Sequence, residues 1–169
     1  MRRNLRKVTI GKLWDYLVVT NIQYGLWYFC AYFPFFPDLM LWKIRPMLWR
    51  WIGVSVGKNV FIGYGVYLDI GGAKRIKIGN NVIITSQTML LTHKRDMQYY
   101  TGQELQNELP FKNCSITLCD NCSVGMRSII MPGVTVGEGA VVGAYSVVSK
   151  DIPSKVIAVG NPIRIIKEL

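Results

Sequence analysis

The chain has 169 residues, half of them hydrophobic, and its 20 lysines and arginines against 10 acidic residues give a formal net charge of +10 at pH 7. This length and apolar content predict one folded domain and exclude a disordered protein. Four cysteines are too few for a disulfide-rich secreted scaffold. The excess of positive charge favours an anionic partner, such as a phosphate-bearing ligand, a membrane surface or a nucleic acid.

The first 52 residues form an aromatic and basic segment. It contains all five tryptophans and 13 of the 20 aromatic residues. Residues 16–37 carry no charged side chain, but polar residues and prolines interrupt them, so a membrane span is not predicted. Two compatible interpretations remain open: interfacial helices that contact a membrane through residues 13–51, or a helical cap on the domain that follows. The basic residues that would face anionic lipid are Arg2, Arg3, Arg6, Lys7, Lys12, Lys43, Arg45 and Arg50.

From residue 53 onward the chain repeats with a period of six residues. Aliphatic residues stand at every sixth position over residues 118–148, and a second column of small or aliphatic residues follows four positions later. Residues 56–90 show the same spacing with one slip of four residues after Leu68. A series of β-hairpins would show a period of two. The period of six is typical of a parallel β-helix, in which three hexapeptides make one coil, so an all-β solenoid is predicted over residues 53–169.

A polar stretch without the repeat, residues 92–112, separates the two runs. Non-repeating loops longer than about 12–15 residues are usually functional or disordered. The only histidine of the chain, His93, opens this loop. A lone histidine is more often structural, but histidine is also the side chain most often used as a general base. Because a solenoid cannot bury its own ends, residues 158–169, which contain Pro162, are a candidate cap for the last coil.

Four motifs in the second half of the chain resemble the hexapeptide-repeat acyltransferases of the maltose, galactoside and xenobiotic acetyltransferase type. The resemblance covers residues 56–169 and implies a left-handed β-helix, a homotrimer and acetyl-CoA as the donor. The aromatic, basic N-terminal segment is similar in character to the acetyltransferases of capsule, colanic-acid and O-antigen clusters. The motifs are Val124-Gly125, Val136-Gly137-Glu138-Gly139-Ala140, Val148-Ser149-Lys150-Asp151-Ile152-Pro153 and Val159-Gly160-Asn161-Pro162.

The resemblance also implies roles for individual residues. His93 ends the first repeat run, where members of this family carry their general base. The residues that match the donor-binding positions are Gly125, Met126, Gly143, Ala144, Ser149, Lys150 and Arg164. Lys150 and Arg164 suit the anionic 3′-phosphate ADP end of CoA. Met126 is bulky where the family often has a small residue, so the packing of the pantetheine arm is expected to differ.

Two aspartates are candidates for contact with the acceptor. Asp69 stands near the position of the acceptor contacts in sugar-acetylating relatives, where it could hold a hydroxyl or simply cap its own turn. Asp96, three residues after His93, could orient the imidazole, contact the acceptor, or be a solvated loop residue. The sequence leaves these alternatives open.

The leading hypothesis is an acetyl-CoA-dependent O-acetyltransferase that modifies a sugar hydroxyl in bacterial surface-polysaccharide biosynthesis. The acceptor would be a sugar or a lipid-linked saccharide, and the enzyme cytoplasmic, with peripheral contact at the inner face of the membrane. The alternatives are an N-acetyltransferase of an amino-sugar nucleotide and a non-enzymatic membrane-attached scaffold. No metal is predicted, because Cys114, Cys119 and Cys122 would need Cys30 or His93 as a distant fourth ligand. Cys119 and Cys122 better fit repeat positions as buried thiols. No nucleic-acid partner is predicted either, since the basic residues accompany a hydrophobic segment.

Overall fold

The structure is a computed structural model and describes residues 37–102 and 109–169, together with residues 21–22, 25–26 and 28–29. Residues 1–20 and much of 23–36 lie outside the described residues, and with them much of the predicted interfacial segment. Among the residues described, no helix is long and apolar enough to cross a membrane.

A capping helix, residues 37–51, precedes the repeats. It consists of α1 (Pro37–Leu39), a π-helical turn (Met40–Ile44) and α2 (Arg45–Trp51). Trp49 is buried in the same hydrophobic core as the first coil, and Trp42 meets the ring of Phe61 edge-on at a centroid distance of 5.1 Å. The helix therefore covers the open end of the first coil, which that coil could not bury alone.

Arg45 fixes the capping helix to the coil. Its side chain is 2% exposed, lies over the Tyr64 ring at 4.5 Å, and donates hydrogen bonds to the carbonyl oxygens of Ile62, at 3.1 Å, and of Gly63. The expectation that Arg45 faces anionic lipid is wrong, because its guanidinium is enclosed between the helix and the coil. Arg50 likewise donates to the carbonyls of Val56 and Gly57, although its side chain stays exposed.

The repeats form three parallel sheets, which the chain visits in turn. Sheet A contains β1 (Ser55–Val56), β4 (Ile76–Ile78), β9 (Ile116–Leu118) and β12 (Thr135–Val136). Sheet B contains β2 (Phe61–Ile62), β5 (Ile83–Ile84), β10 (Ser123–Val124), β13 (Val141–Val142) and β15 (Val156–Val159). Sheet C contains β3 (Tyr67–Leu68), β6 (Met89–Leu90), β11 (Ile129–Ile130) and β14 (Val147–Val148). The coiled, parallel all-β architecture that the period predicts is confirmed, and its left-handed sense stays a prediction.

The two sequence columns form the interior of the coils. The first column, residues 118, 124, 130, 136, 142 and 148, is at most 1% exposed, and the second, residues 122, 128, 134, 140, 146 and 152, at most 3%. In register, Val124 lies beside Ile84 and Val142, so equivalent residues of successive coils stack. The corners between strands pack so closely that a Cβ on Gly125 would lie 2.3 Å from the amide nitrogen of Ala144.

Two departures from the repeat lie at the corner where sheet C leads to sheet A, named here the C–A corner (residues 69–75, 91–102, 109–115, 131–134 and 149–152). The slip of four residues forms a 3₁₀ helix, Ile70–Arg75, whose Ala73 is buried. In the described parts of the non-repeating stretch 92–112, β7 (His93–Arg95) pairs antiparallel with β8 (Phe111–Asn113) to form an arm, with a 3₁₀ turn at Met97–Tyr99. The coil resumes where the Cys114 amide donates to the Thr92 carbonyl at 2.8 Å.

The C-terminal residues fold back as an edge strand. β16 (Arg164–Glu168) pairs antiparallel with β15, after a cis Asn161–Pro162 peptide bond. All five residues of β16 are exposed, whereas Ile163 is 3% exposed and joins the core. Ile163 thus contributes to covering the last coil, while β16 extends sheet B.

Candidate active site

His93 is held by a carboxylate from the preceding coil. Its Nδ1 hydrogen-bonds the Asp69 Oδ2, and the histidine side chain is 42% exposed against 14% for the aspartate. Asp69 follows β3 directly, and β3 lies beside β6 with Leu68 opposite Leu90. The two residues are therefore distant in sequence but begin the C–A corner in adjacent coils. When the Nδ1–H of His93 donates its hydrogen bond to the Asp69 carboxylate, Nε2 carries no proton and is the basic nitrogen of the imidazole.

A buried hydroxyl supports this pair. Thr92, which is fully buried, donates from Oγ1 to the Asp69 Oδ2 at 2.6 Å, and the Arg75 guanidinium donates to the same hydroxyl at 3.5 Å. Burial raises the pKa of the Asp69 carboxyl, but the hydrogen bonds from Thr92 and His93 and the electrostatic attraction of His93 and Arg75 outweigh it and hold the pKa below its ordinary value of 3.8. Asp69 is therefore ionised at neutral pH.

Asp96 lies in the arm, and its carboxylate has a role other than orienting the imidazole. It precedes the 3₁₀ turn Met97–Tyr99 and accepts a hydrogen bond from the Gln98 amide at 3.2 Å. The aspartate that contacts the His93 ring is Asp69. Of the alternatives left open for Asp96, orientation of the imidazole is therefore not the one that the structure shows, because its carboxylate caps a turn within the arm instead. A contact of Asp96 with the acceptor stays a prediction.

One face of the arm presents an aromatic ring beside the histidine. Phe111 is 54% exposed and meets the His93 ring edge-on at a centroid distance of 5.1 Å. The Arg95 guanidinium lies 3.8 Å from the Phe111 centroid and donates to the Leu109 carbonyl at 2.6 Å. These contacts immobilise an apolar surface next to the candidate base, where the ring of an acceptor could rest.

The other face of the arm is basic. Lys94 and Lys112 are direct cross-strand partners, and both side chains are exposed. Directly opposed like charges destabilise a strand pair. This face also places the positive charge of Lys94 next to His93 in the chain. It borders a cavity of about 200 Å³ whose lining also includes Asp96.

The predicted donor-binding residues fall on two different corners of the coil. The first group lies on the corner where sheet B leads to sheet C, named here the B–C corner (residues 63–66, 85–88, 125–128 and 143–146), and consists of Gly125, Met126, Gly143 and Ala144. Arg164 lies at the same side, at the start of β16. Ser149 and Lys150 lie on the C–A corner with His93. Sheet C separates the two groups, so one chain brings His93 near the second group only.

The B–C corner carries two backbone amides that have no acceptor in the described chain. The amides of Met126 and Ala144 donate no hydrogen bond within the described part of the chain, and both residues are exposed. Their neighbours are fixed, since the Tyr145 amide donates to the Met126 carbonyl at 2.9 Å. Backbone N–H groups without an acceptor in the chain can bind the carbonyls of an extended ligand or a developing oxyanion.

Three cysteines lie in the described part of the chain. Within the described ranges, no group of three or more histidine, cysteine, aspartate or glutamate residues is placed to hold a metal ion. Cys114, Cys119 and Cys122 are free. Burial, together with the nearby Cys119, raises the pKa of the Cys122 thiol to about 12. Cys122 is buried as its column predicts, whereas Cys119 is only half-buried.

The sequence did not predict which residues surround the His93 side chain, namely Asp69, Thr92, Arg75 and Phe111. A signal for Asp69 was present, because the repeat register pairs Leu68 with Leu90 and so places Asp69 beside the corner that begins with residue 91. For Phe111 there was none, since the pairing of β7 with β8 follows no repeat.

Comparisons with known proteins agree with this architecture. Residues 115–150 match the family model described as bacterial transferase hexapeptide (six repeats), and residues 51–70 match the hexapeptide repeat of succinyl-transferase. The chain is 33% identical over 136 residues to the putative acetyltransferase YvoF of Bacillus subtilis, covering 80% of this chain and 69% of that protein. It is 35% identical over 119 residues to the galactoside O-acetyltransferase of Escherichia coli, covering 68% of this chain and 57% of that enzyme.

A solved structure has a similar fold. A galactoside acetyltransferase in complex with coenzyme A superposes with a TM-score of 0.62 at 26% identity, covering 88% of this chain and 79% of that one. The chain nevertheless spans only a little over half the length of several curated relatives that it matches.

Proposed function

This chain belongs to the hexapeptide-repeat acyltransferase family, and we propose that it transfers an acetyl group from acetyl-CoA to a sugar hydroxyl in surface-polysaccharide biosynthesis. The observation that carries the proposal is the His93–Asp69 pair, in which the only histidine of the chain is oriented by an ionised carboxylate. A relative named galactoside O-acetyltransferase and a solved galactoside acetyltransferase in complex with coenzyme A support the donor and the class of acceptor.

The chemistry follows from the orientation of His93. Its Nε2 takes the proton from the acceptor hydroxyl as that oxygen attacks the thioester carbonyl of acetyl-CoA. The bond between the carbonyl carbon and sulfur then breaks, and the proton returns from the imidazolium to the leaving thiolate. The ester and free CoA are the products, and no covalent enzyme intermediate is needed.

Asp69 acts on His93 rather than on the substrate. Its carboxylate fixes the proton on Nδ1 and stabilises the imidazolium that forms when Nε2 accepts a proton. Thr92 and Arg75 keep the carboxylate in place. Asp69 is therefore proposed as a positioning residue, in place of the acceptor contact suggested by the sequence.

The division of the donor residues between two corners supports a homotrimer. Outward-facing residues of sheet C are apolar, namely Tyr67, Met89, Ile129 and Val147, whereas those of sheet A are mostly polar, namely Ser55, Lys77, Thr117 and Thr135. Partly exposed apolar faces commonly mark interfaces. In a trimer, the B–C corner of one copy can face the C–A corner of the next and bring Ala144 opposite His93 and Lys150. Light scattering is expected to give a mass of about 58 kDa, three times the 19.2 kDa of the chain.

A second candidate, N-acylation of an amino-sugar nucleotide, is favoured by one neighbour. AntD of Bacillus cereus, an N-acyltransferase crystallised with dTDP and 3-hydroxybutyryl-CoA, superposes with a TM-score of 0.60 at 29% identity over 68% of this chain. An amine needs less help from a general base than a hydroxyl does. Loss of His93 would therefore lower the rate with an amine acceptor less than with a hydroxyl acceptor.

The test combines donor binding with turnover. Calorimetry should show binding of acetyl-CoA that the Lys150→Ala/Arg164→Ala variant weakens, while Lys167→Ala, a matched loss of an exposed charge on β16, leaves it unchanged. Release of CoA thiol in the presence of a panel of sugar and amino-sugar acceptors should fall by about 10²–10⁴-fold in His93→Ala. Absence of acetyl-CoA binding in folded protein would overturn the proposal and favour the scaffold hypothesis.

A further inference from the structure

The outer face of the capping helix is apolar although it lies at the protein surface. Leu39, Met47 and Trp51 are 52%, 56% and 57% exposed, and Lys43 is exposed between the first two. The spacing of four residues from 39 to 51 places all four side chains on one side of the helix. We name these four residues the outer stripe. Single exposed apolar residues are common, but an aligned row of three on one helix marks a contact surface.

The stripe is held in place by the opposite face of the helix. Met40, Leu41 and Trp49 are buried, and Arg45 is anchored to the carbonyls of Ile62 and Gly63. The helix therefore cannot turn its apolar stripe inward without breaking these contacts. Exposure of the stripe is a fixed property of the fold and not a frayed end.

Charge selects the partner. Apart from Arg45, which is buried against the first coil, the first 52 residues contain seven lysines and arginines and only two acidic residues, Asp15 and Asp38. Two copies of this chain would bring like charges together across such a contact, whereas an anionic lipid surface complements them. A tryptophan and lysine beside aliphatic residues also suit the headgroup boundary, where the indole and the ammonium stay hydrated while the apolar parts enter.

We infer that the outer stripe docks the protein on an anionic membrane surface, with Leu39, Met47 and Trp51 inserted at the headgroup boundary and Lys43 facing the lipid phosphates. The contact lies at the first-coil end of the solenoid. It does not depend on the acetyl-transfer activity, so its failure and the failure of the proposed function are separable.

Vesicle sedimentation with the full chain tests the inference. Wild type should bind vesicles of phosphatidylcholine with one-quarter phosphatidylglycerol at least tenfold more tightly than vesicles of phosphatidylcholine alone. Leu39→Ser/Met47→Ser/Trp51→Ser should lower the affinity for the anionic vesicles by at least tenfold, and Lys43→Ala by about two- to fivefold, on the basis of one charge near the surface. The matched control is Ile165→Ser/Ile166→Ser, which removes two exposed apolar residues from β16 and should leave binding unchanged.

Fluorescence gives a readout that needs no multiple variant. Anionic vesicles should shift the emission of wild type to shorter wavelength, and the shift should be smaller in Trp51→Phe, since Trp51 is exposed on the stripe whereas Trp49 is already buried. Acetyl-CoA binding should be the same in all variants.

Three outcomes overturn the inference. In the first, wild type does not bind anionic vesicles. In the second, the triple variant binds them as tightly as wild type does, which would assign the binding to the residues before the helix. In the third, the triple variant retains vesicle binding but changes the oligomeric mass, which would make the stripe an interface between copies.

Discussion

Replacing Asp69 by asparagine separates the two roles proposed for that residue. The substitution keeps the size of the side chain but removes the negative charge of the carboxylate that accepts hydrogen bonds from Thr92 and from His93 Nδ1. A hydrogen bond to a charged group contributes about 1.5–3 kcal/mol. If the bond to His93 is realised fully when the imidazolium forms, its loss lowers kcat by roughly 10- to 150-fold.

The assay is the release of CoA thiol with an acceptor identified by screening, measured at varied acceptor and acetyl-CoA concentrations. A positioning role predicts that kcat falls while KM for the acceptor changes by less than about threefold. Asp96→Asn is the matched control. Because Asp96 caps a turn of the arm, its substitution should leave kcat within about threefold of wild type.

The reasoning is refuted if Asp69→Asn retains kcat and raises KM for the acceptor, since that pattern describes a residue that binds the acceptor equally in the ground and transition states. It is also refuted if Asp96→Asn lowers kcat as much as Asp69→Asn does. Thr92→Val, which removes the buried donor to Asp69, should give a smaller decrease in the same direction.

Asp69 also makes stability depend on pH in a defined window. Its pKa in the folded protein lies below the ordinary 3.8, so the unfolded chain binds more protons than the folded chain between the two values, and stability rises with pH there. The contribution is complete above the unfolded pKa and is lost as the pH falls through the folded pKa. The difference in unfolding free energy between wild type and Asp69→Asn should shrink as the pH falls below about 4.

Three further predictions concern the scaffold. Arg45→Met should lower the free energy of unfolding by about 1–3 kcal/mol in urea titrations, because buried carbonyls lose their donor; a change below about 0.5 kcal/mol would place it with ordinary surface substitutions. Gly125→Ala should cost about 1–3 kcal/mol through its clash with the next coil, while Gly71→Ala, whose Cβ would meet Asp69 only at 3.7 Å, should be nearly neutral; equal effects would contradict the packing argument. Peptide mapping after maleimide treatment of folded protein at pH 8 should find Cys114 modified and Cys122 unmodified, because burial raises the pKa of the Cys122 thiol to about 12; labelling of both at equal rates would exclude that.

The repeat itself was readable from the chain because it is local. Each hexapeptide has one inward aliphatic residue and one small residue at a corner, so the period directly encodes which side chains are buried. The columns at residues 118–148 and 122–152 are buried as predicted. Even the slip of four residues had a structural consequence, since it forms the 3₁₀ helix that carries Arg75 towards Thr92.

The position of His93 at the end of the first run was likewise a property of the sequence, and so was the matching of donor residues to the family motifs. By itself, therefore, the sequence determined the coiled fold, the buried columns and the candidate base. What only the tertiary structure decided was which groups meet across coils. Asp69 rather than Asp96 reaches the imidazole, because stacking brings residues about one coil apart closer than residues three apart on an outgoing strand. Arg45 is buried rather than facing lipid because the end of a solenoid must be covered by whatever chain precedes it.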